Sequence, residues 1–168
     1  ASSEPMVEWK LIENAARDFL KANKLKEAEE VIAFGLKSFP NQINLLIVAS
    51  DVYRASGNYM SSLEQAKLLV KHHPHQPSGY IRSAQDLIDS GEELEAQKAI
   101  EDGINIAPNN LHSLVVSREI FRRSGIRDKC LEYSYALIII YRIFWVRNSQ
   151  NFMQNHVIWE KLPIFGQF

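Results

Sequence analysis

The stretch Gly57–Pro74, "GNYMSSLEQAKLLVKHHP", opens on a glycine, closes on a proline and holds a helix-compatible run between them. Both marks recur. Pro40, Pro74 and Pro108 stand 34 residues apart, and so do Gly57, Gly91 and Gly125. Asn23 lies 34 residues before Gly57, and asparagine is the next residue type to tolerate a left-handed backbone. Each mark has a mechanical meaning. A left-handed residue ends a first helix and lets the chain reverse. A proline after the second helix prevents its continuation. Two independent marks on one period set the frame for everything else.

Working outward, "AEEVIAFGLKSF" (Ala28–Phe39) and "AQKAIEDGINIA" (Ala96–Ala107) align two periods apart, pairing Ala28 with Ala96, Ile32 with Ile100 and Gly35 with Gly103. Ser62, Ala66 and Leu69 hold the same places in the middle unit. The pattern predicts eight helices, near 7–22, 25–38, 42–56, 59–73, 77–90, 93–107, 111–124 and 127–147. A pair of such helices cannot bury its own apolar stripe, so the pairs must stack, and the fold class is all-α.

A 34-residue helix–turn–helix unit with small residues at fixed places and a closing proline resembles the tetratricopeptide repeat. Ile12, Leu46, Tyr80 and Leu114 hold the place of the large residue that opens the first helix in that family. The small pair follows as Ala15–Ala16, Ala49–Ser50, Ser83–Ala84 and Ser117–Arg118, and the larger packing residue as Phe19, Tyr53, Leu87 and Phe121. The fourth unit departs at Arg118, where a small residue is expected, and at Arg142, where proline is expected. The resemblance covers about residues 9 to 141. It implies a right-handed α-solenoid of about four repeats (9–42, 43–76, 77–110 and 111–142), with first helices lining the concave side. A lead or cloning remnant precedes it over 1–8, and an aromatic segment follows over 143–168.

First-helix positions facing away from the partner helix give a groove of Lys10, Arg17, Asn44, Ile47, Arg54, Ile81, Arg82, Gln85 and Arg122, with Val115 beside them. Arginine forks suit carboxylates or phosphates. Ile47, Ile81 and Val115 offer an apolar floor, and Asn44 and Gln85 can pair with a ligand backbone. The expected ligand is an extended peptide of acidic character. Glu13, Asp51 and Glu119 oppose this by neutralising part of the face. Members of the family that capture chaperone tails use a Lys and Asn clamp. Here Glu13 and Arg17 replace the first Lys–Asn pair, Val48 replaces the next Asn, and only Arg82 matches, so that clamp is not expected.

Chemistry is not expected of this chain. It has no Walker loop, GxGxxG, HExxH, CxxC or GxSxG. His72, His73 and His75 surround the repeat-closing Pro74 and read as a solvated helix end rather than a metal site, since no cysteine or carboxylate completes a ligand set. Asp86, Asp89, Glu92, Glu93 and Glu95 gather around Gly91 and read as a solvated turn. No cofactor is implied. A net charge of −1 argues against broad nucleic-acid binding. The apolar run Tyr135–Val146 is too short for a typical membrane span and contains Arg142. One cysteine, Cys130, makes no internal disulfide and holds a small-residue packing place, which suits burial and a reducing, cytoplasmic setting.

Residues 133–168 carry nine of the chain's 17 aromatics. A solenoid ordinarily ends in a cap with a polar outer face. This end is expected to plug the open stack, to form a homodimer interface, or to join a further domain. Ile140, Tyr141, Phe144 and Trp145 are the candidate contact residues. Function is therefore expected to be that of a non-catalytic protein-interaction or scaffold module. The alternative is the helical-repeat accessory region of a larger enzyme, such as a bacterial surface-polysaccharide glycosyltransferase, with catalysis elsewhere.

Overall fold

The computed structural model describes residues 5–149, and they form eight α-helices: α1 Pro5–Lys21, α2 Leu25–Ser38, α3 Ile43–Ala55, α4 Tyr59–His72, α5 Pro77–Asp89, α6 Glu93–Ile106, α7 Leu111–Arg123 and α8 Arg127–Ser149. There is no strand among the described residues. The predicted ends agree to within two residues. α1 starts inside the segment expected to be a lead, on Pro5, a residue suited to a first helical turn.

The reversals are built alike. Asn23, Gly57, Gly91 and Gly125 all have positive φ, between 56° and 86°. After each, a backbone N–H reaches five residues back: Lys24 to Phe19, Asn58 to Tyr53, Glu92 to Leu87 and Ile126 to Phe121, at 2.8–2.9 Å. This satisfies carbonyls that a helix end would otherwise leave open. At two helix starts a side chain does the same for N–H groups, with Asn58 Oδ1 accepting from Ser61 and Asn110 Oδ1 from Ser113.

Consecutive helices pack in sequence, and each odd helix also touches the next odd one (α1 on α3, α3 on α5, α5 on α7). Among the described residues no even helix touches the next even one in this way, so the odd helices form the inner side of a curved stack. Close approach depends on small residues. A Cβ added at Gly35 would lie 2.6 Å from Ile12 Cγ2, and one at Gly103 would lie 3.0 Å from Tyr80 Cβ. The second pair has Leu69 at this place, and the room is made by Gly79 of the following helix, where an added Cβ would come 2.9 Å from Leu69 Cβ.

Two apolar clusters result. One joins α1–α3 through Ala16, Ala28, Ile32, Leu45, Val48, Ala49 and Val52. The other joins α5–α7 through Ile81, Ala84, Ile88, Ala96, Ile100, Val116, Ile120 and Phe121, with Cys130 and Tyr133 of α8 packed on it. Phe121 stacks on Tyr133 with ring centroids 5.5 Å apart. Cys130 is half-buried.

α8 has 23 residues, against 13 or 14 for α2 to α7. Arg142 stands where the other units have proline, so nothing stops the helix there. No helix among the described residues is long and apolar enough to cross a membrane. The aromatic residues expected to cap the stack beyond Ser149 lie outside the described residues.

Candidate functional site

The inner face is carried by α1, α3, α5 and α7, and its arginines are not free forks. Arg54 of α3 donates to Asp86 and Asp89 of α5, and also to the Gln85 carbonyl oxygen at 3.5 Å. Its guanidinium lies 5.8 Å from the Tyr59 ring centroid. Arg82 of α5 donates from one terminal nitrogen to both Asp51 oxygens of α3, at 2.8 and 3.0 Å. The two helices are thus laced by reciprocal ion pairs. Arg123 of α7 extends the lacing, donating to Asp89 at 2.6 Å and to the Ile88 carbonyl at 3.0 Å.

Beneath this lies a buried polar chain. Asp86 is fully buried. Its carboxylate accepts from Ser62 Oγ at 2.5 Å, and Ser62 Oγ lies 3.0 Å from Ser50 Oγ. Burial raises the Asp86 pKa above the ordinary carboxylate value, while Ser62 and Arg54 pull it back down. The expectation that Asp86 belongs to a solvated acidic turn is therefore corrected. It sits on the inward side of α5, one turn before the reversal, where desolvation forces it to find partners. One period earlier stands Val52 and one period later Ile120, both buried. That comparison is the sequence signal that marks Asp86 as a polar residue in an apolar slot.

The remaining candidates divide by exposure. The Arg17 and Arg122 side chains are 40% and 57% exposed and pair only within their own helices, with Glu13 and Glu119. Arg54 and Arg82 are 30% and 13% exposed. Lys10 is exposed on α1, and Asn44, Ile47 and Gln85 are half-buried. Val115 is 45% exposed on α7. Ile81, expected in the floor, is instead buried in the α5–α7 cluster, where it joins Val116, Ile120 and Phe121 of α7. His112, near Arg82 and Asp51, has its pKa lowered by desolvation and then by the Arg82 charge, with Asp51 opposing. The Arg122 hydrogen bond holds the Glu119 pKa below its ordinary value.

The histidine stretch is a helix end. His72 is the last residue of α4, and His73 Nε2 lies 2.9 Å from the Asn41 carbonyl oxygen of the preceding pair's loop. No group of three or more potential metal ligands occurs among the described residues. On α8, Tyr141, Phe144 and Trp145 are exposed and Ile140 is half-buried.

This architecture is a tetratricopeptide-type helical-repeat fold. Solved structures agree. The first tetratricopeptide domain of Spaghetti (RPAP3), bound to the HSP90 peptide SRMEEVD, is 18% identical over 70% of this chain and 93% of its own, with a TM-score of 0.63. The Sgt2 domain from Aspergillus fumigatus is 18% identical over 73% and 83%, with a TM-score of 0.66. TTC0263, a thermophilic repeat protein of Thermus thermophilus, is 15% identical over 79% and 74%, with a TM-score of 0.70. At these identities the likeness concerns the fold. No family model matches the sequence, and a comparison with curated proteins returns no match.

Proposed function

We propose that the chain is a non-catalytic protein-interaction module that takes an extended peptide on its inner face and makes a second contact, self-association or docking of a further domain, through α8. The observation that carries the groove reading is the make-up of that face. Apolar Ile47 and Val115 and the amides of Asn44 and Gln85 are all at least partly exposed on the odd helices α3, α5 and α7, and the more exposed Arg17 and Arg122 stand on the first and last odd helices. Apolar contact gives affinity, and amides satisfy a ligand backbone. The structural neighbour that carries a bound peptide makes this use of the fold concrete.

Acidic ligand side chains are met by Arg17 and Arg122, which are themselves 40% and 57% exposed and are paired only within their own helices, so that these local pairs can be exchanged at small cost. Arg54 and Arg82 instead hold α3 to α5. Capture of a chaperone tail by the family's clamp is not proposed, because Arg82 is engaged by Asp51 and Val48 is buried. The test is a fluorescence-polarisation screen of extended acidic peptides against the chain. Val115→Asp and the Arg17→Glu/Arg122→Glu double variant should each weaken any hit about tenfold or more, as loss of an interface anchor does. Unchanged binding in both would place the ligand elsewhere.

A further inference from the structure

The reciprocal ion pairs between α3 and α5 have an unfilled counterpart at the end of the stack. Two periods on from Asp51 and Arg54 stand Glu119 and Arg122 of α7. No other odd helix carries an acid and an arginine at these two places: α1 has Arg17 and Leu20, and α5 has Gln85 and Ile88. On α3 both are taken up by the next odd helix, Asp51 by Arg82 and Arg54 by Asp86 and Asp89. On α7, which no further odd helix follows among the described residues, the two turn to each other, and Arg122 Nε donates to Glu119 at 2.9 Å. Apolar surface beside them is open as well. Leu111 and Val115 are 42% and 45% exposed at the places of half-buried Ile43 and Ile47, and Ile138 of α8 is 54% exposed at the place of Val70. Val70 lies against α5, where a Cβ added at Gly79 would come 3.0 Å from its Cγ2.

Charge selects the occupant. A helix seated on α7–α8 as α5 is seated on α3–α4 would bring its counterpart of Arg82 to Glu119 and its counterparts of Asp86 and Asp89 to Arg122. Beneath Asp86 the central joint has the neutral hydroxyls of Ser50 and Ser62, and the matching residues here are Arg118 and Cys130. Arg118 is exposed and, among the described residues, in no ion pair. It is bulkier than Ala16, Ser50 and Ala84 of the earlier units, so the newcomer stands farther off α7 than α5 does off α3 and is held more by charge than by close packing. An apolar helix laid there would bury a cation without compensation, whereas an acid answers it. Only one stretch of this chain has a basic residue followed four and seven places on by acids, Arg82–Asp86–Asp89, and it is already engaged. Residues 150–168 hold a single acid, Glu160, with Pro163 where the second would fall. Neither a second copy nor that segment supplies the pattern.

We infer that the α7–α8 end receives a helix of a partner protein that carries a small residue, a basic residue three places on, and acids four and seven places after that. The inference rests on the reading of this end as a docking surface and names the partner's chemistry. The test is fluorescence polarisation with a labelled, stapled helical peptide of the α5 sequence, Pro77–Asp89, titrated into the full chain, with hydrogen exchange locating the contact and circular dichroism confirming helix content in each variant. The peptide should bind and protect amides of α7 and α8. The variant Arg118→Glu/Glu119→Arg/Arg122→Glu should weaken it about tenfold or more, and a peptide carrying Arg82→Glu, Asp86→Arg and Asp89→Arg should prefer that variant to the parent. Arg17→Glu, on α1, reports on the groove alone and should leave this binding unchanged. Absence of saturable binding overturns the inference. So does equal affinity for parent and triple variant, or protection confined to α3 and α4, where the peptide would merely replace α5. A parent that self-associates through the same three residues assigns the end to a second copy. Binding that appears only once residues 150–168 are replaced by a Gly-Ser sequence assigns it to that segment. Either of these rejects the partner helix while leaving the end a docking surface.

Discussion

The joint between α1–α2 and α3–α4 and the joint between α5–α6 and α7–α8 are each built on an apolar cluster, the second edged at its surface by the Arg123–Asp89 and Lys129–Glu101 pairs, whereas the interior of the central joint between α3–α4 and α5–α6 is threaded by Ser50, Ser62, Asp86 and Arg54. Apolar packing holds helices together by area and tolerates small adjustments. A buried carboxylate tolerates few, because each lost partner leaves a charge without compensation. The outer joints therefore set cohesion, and the central one sets alignment.

The largest effect should come from an outer joint. Phe121→Ala removes a fully buried ring from the α5–α7 cluster and its stack on Tyr133, and should cost about 4 kcal/mol in equilibrium urea unfolding. Next is Arg54→Ala, which strips Asp86 of its cation and should cost about 3 kcal/mol. Replacing the buried set together, Arg54→Met with Ser62→Ala and Asp86→Val, should recover most of that loss. If the triple variant is as unstable as Arg54→Ala, the central joint is not limited by its charges. Smaller is Gly35→Ala, which forces Ile12 aside and should cost roughly 1–2 kcal/mol, with amide exchange rising first in α1 and α2.

The smallest is a pH effect. Burial raises the folded-state pKa of Asp86, so the carboxylate binds its proton more readily folded than unfolded. Its contribution is most favourable in acid and is lost as pH rises through the folded value. Asp86→Asn should remove that part of the slope, which begins at the ordinary carboxylate pKa and extends above it, and an unchanged slope would assign it to other groups.

Much of this was legible in the chain. The eight helices follow from Asn23, the three period-spaced glycines and the three prolines, because backbone reversals and breaks are local properties of those residue types. The pairing of the arginines was not. Arg54 and Arg82 were legible as charged inner-face residues, but their carboxylates come from the neighbouring odd helix, 31 to 35 residues away. Asp86 looks like a turn acid beside Gly91 and is betrayed only when set against Val52 and Ile120. The openness of Arg118 likewise has meaning only once no helix is seen stacked upon it among the described residues.

The trade between Leu69 and Gly79 has a consequence for how such a chain can be cut and rejoined. In the first pair the void is carved on α2, at Gly35, and the bulk is supplied by its neighbours. In the second pair the bulk moves to Leu69, and the void is carved on the helix that comes after it. The second hairpin is therefore not a free-standing building block. Duplicated or transplanted ahead of any hairpin lacking a glycine at the matching place, it would collide with its successor. A viable splice must carry Leu69 and Gly79 together, so recombination joints in this molecule belong outside that interval.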